Sequence, residues 1–134
     1  MFNTIIQRGD IMSWELKSDR PIYTQLIEQI ELMIFSGVYP LGTKLPSVRD
    51  LAQEAAVNPN TMQRALVKLE EDGLIITHRT SGRSITEDAH MVEMAKAKLA
   101  KEQILEFLEK MQLMGFKQNE ILTIINKMIK EMKK

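Results

Sequence analysis

The order of apolar and polar residues predicts two helices near the start of the chain. A helix over 21–36 begins with Pro21, which suits a first helical position, and ends before Gly37. Its apolar residues recur at helical spacing and are Ile22, Leu26, Ile30, Met33 and Ile34. A second helix over 47–55 has Ser47 as its N-cap.

A third helix follows after a break of only a few residues. Asn58 is a good N-cap, Pro59 suits the first helical position, and Gly73 marks the end. One face of this helix is apolar and comprises Met62, Ala65, Leu66 and Leu69. The opposite face carries Asn60, Gln63, Arg64 and Val67.

The rest of the chain predicts one hairpin and then only helix. Segments 74–78 and 84–86 are β-prone and separated by turn residues. A helix over 88–114 ends at Gly115, and a second runs over 118–132. The predicted fold is mainly α: a winged helix-turn-helix domain followed by a two-helix dimerisation tail.

Composition excludes several classes of protein and indicates where in the cell the protein is expected. The chain has 134 residues, no cysteine and no apolar run long enough for a membrane span, so we expect a cytoplasmic protein. Its net charge is zero, which alone argues against a nucleic-acid binder. The basic residues nevertheless cluster on or near the predicted helix-turn-helix and hairpin: Lys44, Arg49, Arg64, Lys68, Arg79 and Arg83.

Two short helices joined by a tight turn form the helix-turn-helix pattern, whose second helix enters the major groove of DNA. The first turns of that helix carry side chains suited to base edges, since Asn and Gln pair with adenine and Arg with guanine. The candidates are Asn60, Thr61, Gln63 and Arg64. Arg49 and Thr61 are candidates for phosphate contacts, and Arg79 and Arg83 on the hairpin are candidates for the wing.

Four segments resemble the N-terminal domain of GntR-family regulators in order and spacing. They are 21–26 (PIYTQL), 45–52 (LPSVRDLA), 57–65 (VNPNTMQRA) and 69–75 (LEEDGLI), and the resemblance covers 13–86. It implies a winged helix that binds a near-palindromic operator of double-stranded DNA as a dimer. It also implies that Arg49 contacts DNA and that Asn58, Asn60, Thr61, Gln63 and Arg64 read the operator.

The hairpin departs from the family pattern. The family usually has Gly-x-Gly followed by an aromatic residue and Val. Here 80–85 reads TSGRSI, so the first glycine and the aromatic residue are missing. Because of this departure the wing need not have the shape usual in the family, and the roles of Arg79 and Arg83 as contacts depend on that shape.

The tail predicts a homodimer. Its helices carry apolar stripes that two helices cannot bury alone, whereas a second copy would cover them. The candidate dimer contacts are Leu105, Leu108, Met111, Ile121, Ile125 and Met128. Segment 114–121 (MGFKQNEI) also resembles the tail of the YtrA-type subfamily, which implies a repressor, often of an ABC-transporter operon.

The sequence predicts three parts: an N-terminal extension over 1–12, a DNA-binding domain over 13–87 and a dimerisation tail over 88–134. We expect the extension to be disordered and assign it no role. The alternative is a winged-helix protein-interaction module that binds no operator, which the neutral charge would permit. No nucleophile–base pair, metal cluster or phosphate loop occurs, so we expect no enzyme, cofactor or metal site. Whether a small-molecule effector exists stays open.

Overall fold

The computed structural model describes residues 14–133, so the predicted extension over 1–12 lies outside the described residues. The described part forms two compact units, 14–94 and 95–133. Within it no helix is long and apolar enough to cross a membrane. The architecture is the predicted one, mainly helical with one small sheet, and the elements agree with their predicted bounds within about two residues.

The first unit is built on three helices: α1 (Ile22–Phe35), α2 (Val48–Ala55) and α3 (Pro59–Glu71). Its core is formed by their apolar faces, as the helical spacing predicts. The fully buried members include Leu26, Ile30, Leu51, Met62, Leu66 and Leu69. α3 packs against both α1 and α2, so its buried face is fixed on two sides and its other face remains open.

Side-chain caps start α2 and α3 where the sequence predicts them. The Ser47 hydroxyl accepts from the backbone N–H of Asp50 at 3.1 Å, and Asn58 Oδ1 accepts from that of Asn60 at 2.8 Å. Pro21, in contrast, has ψ near 132° and precedes the helix as its N-cap, so its prediction as a helical residue is wrong by one position. Its missing N–H costs nothing at either position.

The turn between α2 and α3 rests on a left-handed alanine. Ala56 has φ 56° and ψ 47°, and its N–H and that of Val57 bond to carbonyls near the end of α2. A left-handed residue at this point satisfies the last carbonyls of the helix and redirects the chain. The conformation strains any residue with a Cβ, although less in alanine than in a bulkier residue.

The hairpin forms despite its departure from the family pattern. β1 (Ile75–His78) and β2 (Gly82–Ile85) pair antiparallel, with Ile75 opposite Ile85 and His78 opposite Gly82. Gly82 has φ +87° and closes the three-residue loop 79–81, so the single remaining glycine stands where a positive φ is needed. Lys44 adds a single antiparallel bridge to Ser84, a strand contact that the sequence did not indicate.

The segment before α1 is held by two glutamines one helical turn apart. Gln25 accepts from the backbone N–H of Lys17 at 2.7 Å and donates to the carbonyls of Lys17 and Arg20. Gln29 bonds in the same way to both backbone groups of Glu15. The amide side chains thus replace the backbone of a neighbouring strand, which explains why Gln25 is buried.

The last two elements are α4 (Ala89–Leu113) and α5 (Gln118–Met132). Gly115, with φ +95°, ends α4 as predicted, and the Phe116 N–H bonds to the Met111 carbonyl. The N–H of Lys117 donates to Glu120 at the start of α5. In the unit 95–133 Ile121 is buried, while many apolar side chains of both helices are exposed.

Candidate nucleic-acid interface

The outer face of α3 is polar and open. Asn60, Gln63 and Arg64 are exposed there, and Thr61 is half-buried. The opposite face is closed, since Met62, Ala65, Leu66 and Leu69 are all buried. A helix with one face packed in the core and polar side chains on the other can enter a DNA groove while its packing against the other helices stays intact.

Asn58 and Arg64 each have a partner within the protein. Because Asn58 uses its side-chain oxygen as the cap of α3, only its amide N–H groups remain to donate to a phosphate. The Arg64 guanidinium carbon lies 4.4 Å from the centroid of the Tyr23 ring, which belongs to α1. This is a cation–π contact between the outer face of α3 and a neighbouring helix.

Two further candidate arginines stand exposed without an acidic partner in the described part of the chain. Arg49 lies in the first turn of α2, and Arg79 lies in the loop of the hairpin. Lys44, which precedes α2, is also exposed and forms no ion pair with any residue of 14–133. An uncompensated guanidinium or ammonium can neutralise a DNA phosphate, so these three side chains offer positive charge on the segments that neighbour α3 in the first unit.

Other basic side chains near this surface are already paired. Lys68 lies 3.4 Å from Asp72, one turn further along α3, in an exposed ion pair. Arg83 in β2 donates through Nε to Glu70 of α3, and both side chains are largely buried. Among the candidates, Arg83 is therefore the one whose charge is compensated within the protein.

Glu70 is held as a carboxylate by its neighbours. Burial raises the pKa of Glu70, but hydrogen bonds from Thr77 and Arg83, together with the charge of Arg83, outweigh that effect. The pKa consequently lies below its ordinary value of 4.5. At neutral pH the pair is fully charged and ties both strands of the hairpin to α3.

A groove of about 610 Å³ separates the hairpin loop from the start of α2. It is open to solvent, and Lys44, Ser47, Ser81 and Arg83 contribute to its polar lining. A groove of this kind suits an extended chain better than a small ligand, since it is open along its length rather than enclosed.

The candidate dimer contacts differ in their exposure. Leu105 is 59% exposed and Met128 38%, whereas Leu108, Met111 and Ile125 are half-buried. Ile121 is only 1% exposed, so the chain itself covers this side chain. Further exposed apolar residues lie in the same unit: Ile104, Leu113, Met114, Leu122 and Ile129.

Sequence reasoning missed the residues that support the interface. Tyr23 and Gln25 both fall within the PIYTQL segment, yet their partners lie elsewhere in the chain. Glu70 and Arg83 are 13 positions apart, and no periodicity relates them. The segment resemblance draws attention to Tyr23, Gln25 and Glu70, and Arg83 is a candidate wing residue, but nothing in the sequence indicates that Glu70 and Arg83 pair with each other.

Comparisons with known proteins define the class of this chain. The family "Bacterial regulatory proteins, gntR family" matches residues 22–85. The uncharacterized HTH-type transcriptional regulator YhcF of Bacillus subtilis is 37% identical over 83% of this chain and 92% of its own. The HTH-type transcriptional repressor YtrA of the same species is 40% identical over 69% of this chain and 72% of its own.

Comparison with solved structures indicates the same class of protein. A GntR family transcriptional regulator from Listeria monocytogenes superimposes with a TM-score of 0.79 at 37% identity, over 84% of this chain and 98% of its own. The fold and the open polar face of α3 are therefore those of a winged helix-turn-helix DNA-binding transcription regulator. The chain belongs to the gntR family of bacterial regulatory proteins.

Proposed function

We propose that this regulator is a repressor that acts as a homodimer on a near-palindromic operator. The observation that carries the proposal is the outer face of α3, where Asn60, Gln63 and Arg64 stand exposed above a fully buried inner face. In this arrangement α3 lies in the major groove, and those side chains meet base edges.

Flanking residues position α3 through the DNA backbone. Arg49 and Arg79 have no acidic partner among residues 14–133, and each supplies a charge-assisted contact to a phosphate. Asn58 and Thr61, at the start of α3, donate to the same backbone. Arg83 contributes chiefly by fixing the wing, because Glu70 already compensates its charge.

The tail supplies the dimer interface. Isolated exposed apolar side chains are common on monomers, but a contiguous series is typical of an interaction surface. On α4 and α5 this series includes Leu105 and Met128 beside half-buried Leu108, Met111 and Ile125. A second copy offers the same surface, so a symmetric pairing covers both, and Ile121 supports it from within the chain.

Repression is inferred from a relative and from the tail. YtrA of Bacillus subtilis is named a transcriptional repressor, and this chain is 40% identical to it over 94 residues. The tail resemblance extends the proposal to an operon for an ABC transporter. The genes beside the one that encodes this chain test that part directly.

The experiment for the operator is a footprint of the full chain on the DNA upstream of its own gene. We expect two protected half-sites whose centres are about one helical turn apart, roughly 10 base pairs, or a multiple of it. A single protected half-site would contradict the dimeric arrangement. Absence of any protected sequence, there and in a randomised duplex pool, would contradict operator binding itself.

The experiment for the dimer is sedimentation of the intact chain at micromolar concentration. We expect twice the monomer mass for the wild type and the monomer mass for Leu105→Lys combined with Met128→Lys, because a buried lysine disfavours the interface. Leu41→Lys is the matched control, since Leu41 is 44% exposed but lies outside the tail. A monomeric wild type would overturn this part of the proposal.

A further inference from the structure

The cation–π contact between Tyr23 and Arg64 joins α1, a supporting helix, to α3, the proposed recognition helix. Tyr23 is the second residue of α1, a helix whose role is support, while Arg64 lies on the outer face of α3. Their separation of 4.4 Å from guanidinium carbon to ring centroid is that of a close cation–π contact. Arg64 is exposed and Tyr23 half-buried, so the ring is the fixed partner and the arginine the mobile one.

A stacked guanidinium keeps its hydrogen-bonding capacity. The ring covers one side of the guanidinium, and the five N–H donors of arginine fan out around its plane, so donors remain on the side away from the ring. Guanine is read by those in-plane donors, which reach its O6 and N7 atoms together. The contact with Tyr23 therefore restricts where the guanidinium lies without using the groups that would read a base.

We propose that Tyr23 is a positioning residue that holds Arg64 in place for base recognition and thereby sets operator specificity at the base pair facing Arg64. The inference rests on the proposed function. A long side chain that is free in solution loses rotamer entropy when it binds, and a side chain already held loses less. Tyr23 thus strengthens binding where Arg64 makes a directed contact, and has little effect where it does not.

The test uses the full chain and a duplex that the wild-type protein enriches from a randomised pool. Dissociation constants are measured for Tyr23→Leu and Tyr23→Phe, each with Arg64 and with Arg64→Met. With Arg64 present, we expect Tyr23→Leu to weaken binding by about 2- to 12-fold per half-site, the effect of immobilising one long side chain, and by about 5- to 160-fold for a dimer with two such pairs. Tyr23→Phe keeps the ring and should stay within about twofold of the wild type.

The Arg64→Met background separates positioning from simple structural support. There Tyr23→Leu should cause no further loss, since no guanidinium remains to be held. Enrichment profiles supply a second readout: Tyr23→Leu and Arg64→Met should both flatten the preference at the same base position. Tyr39→Leu is the matched control, because Tyr39 is the other tyrosine of the chain and is half-buried away from this contact.

Several results would overturn the inference. An equal loss from Tyr23→Leu in both backgrounds would mean that the residue only supports the fold. A loss from Tyr23→Phe as large as that from Tyr23→Leu would assign the effect to the hydroxyl group, and tighter binding by Tyr23→Leu would mean that the stack withholds Arg64 from DNA. If the wild type enriches no sequence, the proposed function fails together with this inference; if it enriches one and the variants bind equally well, only this inference fails.

Discussion

The guanidinium of Arg83 in β2 donates to the carboxylate of Glu70 near the end of α3, so the wing is tied to the helix that we propose enters the major groove. Thr77 in β1 bonds to the same carboxylate, which brings both strands to one acceptor. The orientation of the hairpin therefore depends on its contact with α3 as well as on its own turn. Any movement of the wing relative to α3 must break or stretch this contact.

Glu70→Gln should weaken that connection. The variant keeps the shape of the side chain but removes the charge, and a hydrogen bond to a charged group is worth about 1.5–3 kcal/mol. We expect the free energy of unfolding to fall by about 1–2 kcal/mol, since the pair is not fully buried. Glu71→Gln, an exposed neighbour, is the control and should be nearly neutral in chemical denaturation.

The same pair predicts a pH dependence. Because the pKa of Glu70 is lowered in the folded state, its contribution is complete above the unfolded value of 4.5 and disappears as pH falls through the lowered folded value. The stability difference between the wild type and Glu70→Gln should hold at neutral pH and shrink below pH 4.5. A difference that grows on acidification would contradict the assignment.

Ala56→Gly should stabilise the protein. The left-handed conformation of Ala56 costs about 1–2 kcal/mol for a residue with a Cβ, while glycine adds about 0.4–1 kcal/mol of unfolded-state entropy. We expect a net gain of about 0.5–1 kcal/mol, measured by thermal unfolding. Gln53→Gly, at an exposed position inside α2, should lose about 1 kcal/mol, so the two glycine substitutions have opposite signs.

Gln25→Met should release the segment before α1. The substitution keeps the length of the side chain but removes three hydrogen bonds to Lys17 and Arg20, which we expect to cost about 1–3 kcal/mol. Faster amide exchange over 14–20 would report the local effect. Gln53→Met, at an exposed position, is the control and should change neither the free energy of unfolding nor the exchange rate over 14–20. An unaltered exchange rate in Gln25→Met would contradict the role of Gln25.

Base recognition by α3 predicts a selective loss. Gln63→Ala should weaken operator binding by about 1–3 kcal/mol if the amide makes a bidentate contact with adenine, and should weaken binding to a scrambled duplex less. Val67→Ala, one turn further along the same face, is the control. Equal losses on both duplexes would reassign Gln63 to the phosphate backbone.

Helical spacing and caps were sufficient to predict the architecture. The recurrence of apolar residues placed α1, α2 and α3, and Ser47 and Asn58 fixed two of their starts, because such local signals act within a few residues. The single bridge of Lys44 to Ser84 was not predictable, since one backbone pairing leaves no pattern.

The candidate site was predictable only as a set of side chains on one face of α3. Its internal partners were not, because Tyr23 and Glu70 meet their arginines through tertiary packing between distant segments. For the same reason sequence reasoning treated Arg79 and Arg83 alike. The structure separates them, since Arg83 has an acidic partner and Arg79 has none among residues 14–133.

We propose that a dimer of this chain recognises a specific DNA sequence through α3 and the charges beside it. To test this, the affinity of the full chain is measured for the enriched duplex and for a scrambled one, over a range of salt concentrations. If Lys44, Arg49 and Arg79 of two copies each neutralise a phosphate, log K should fall with log salt with a slope of about −5, and Arg79→Ala should reduce its magnitude by about two. We expect that slope together with tighter binding to the enriched duplex. Equal affinity for both duplexes, or binding that does not change with salt, would contradict it.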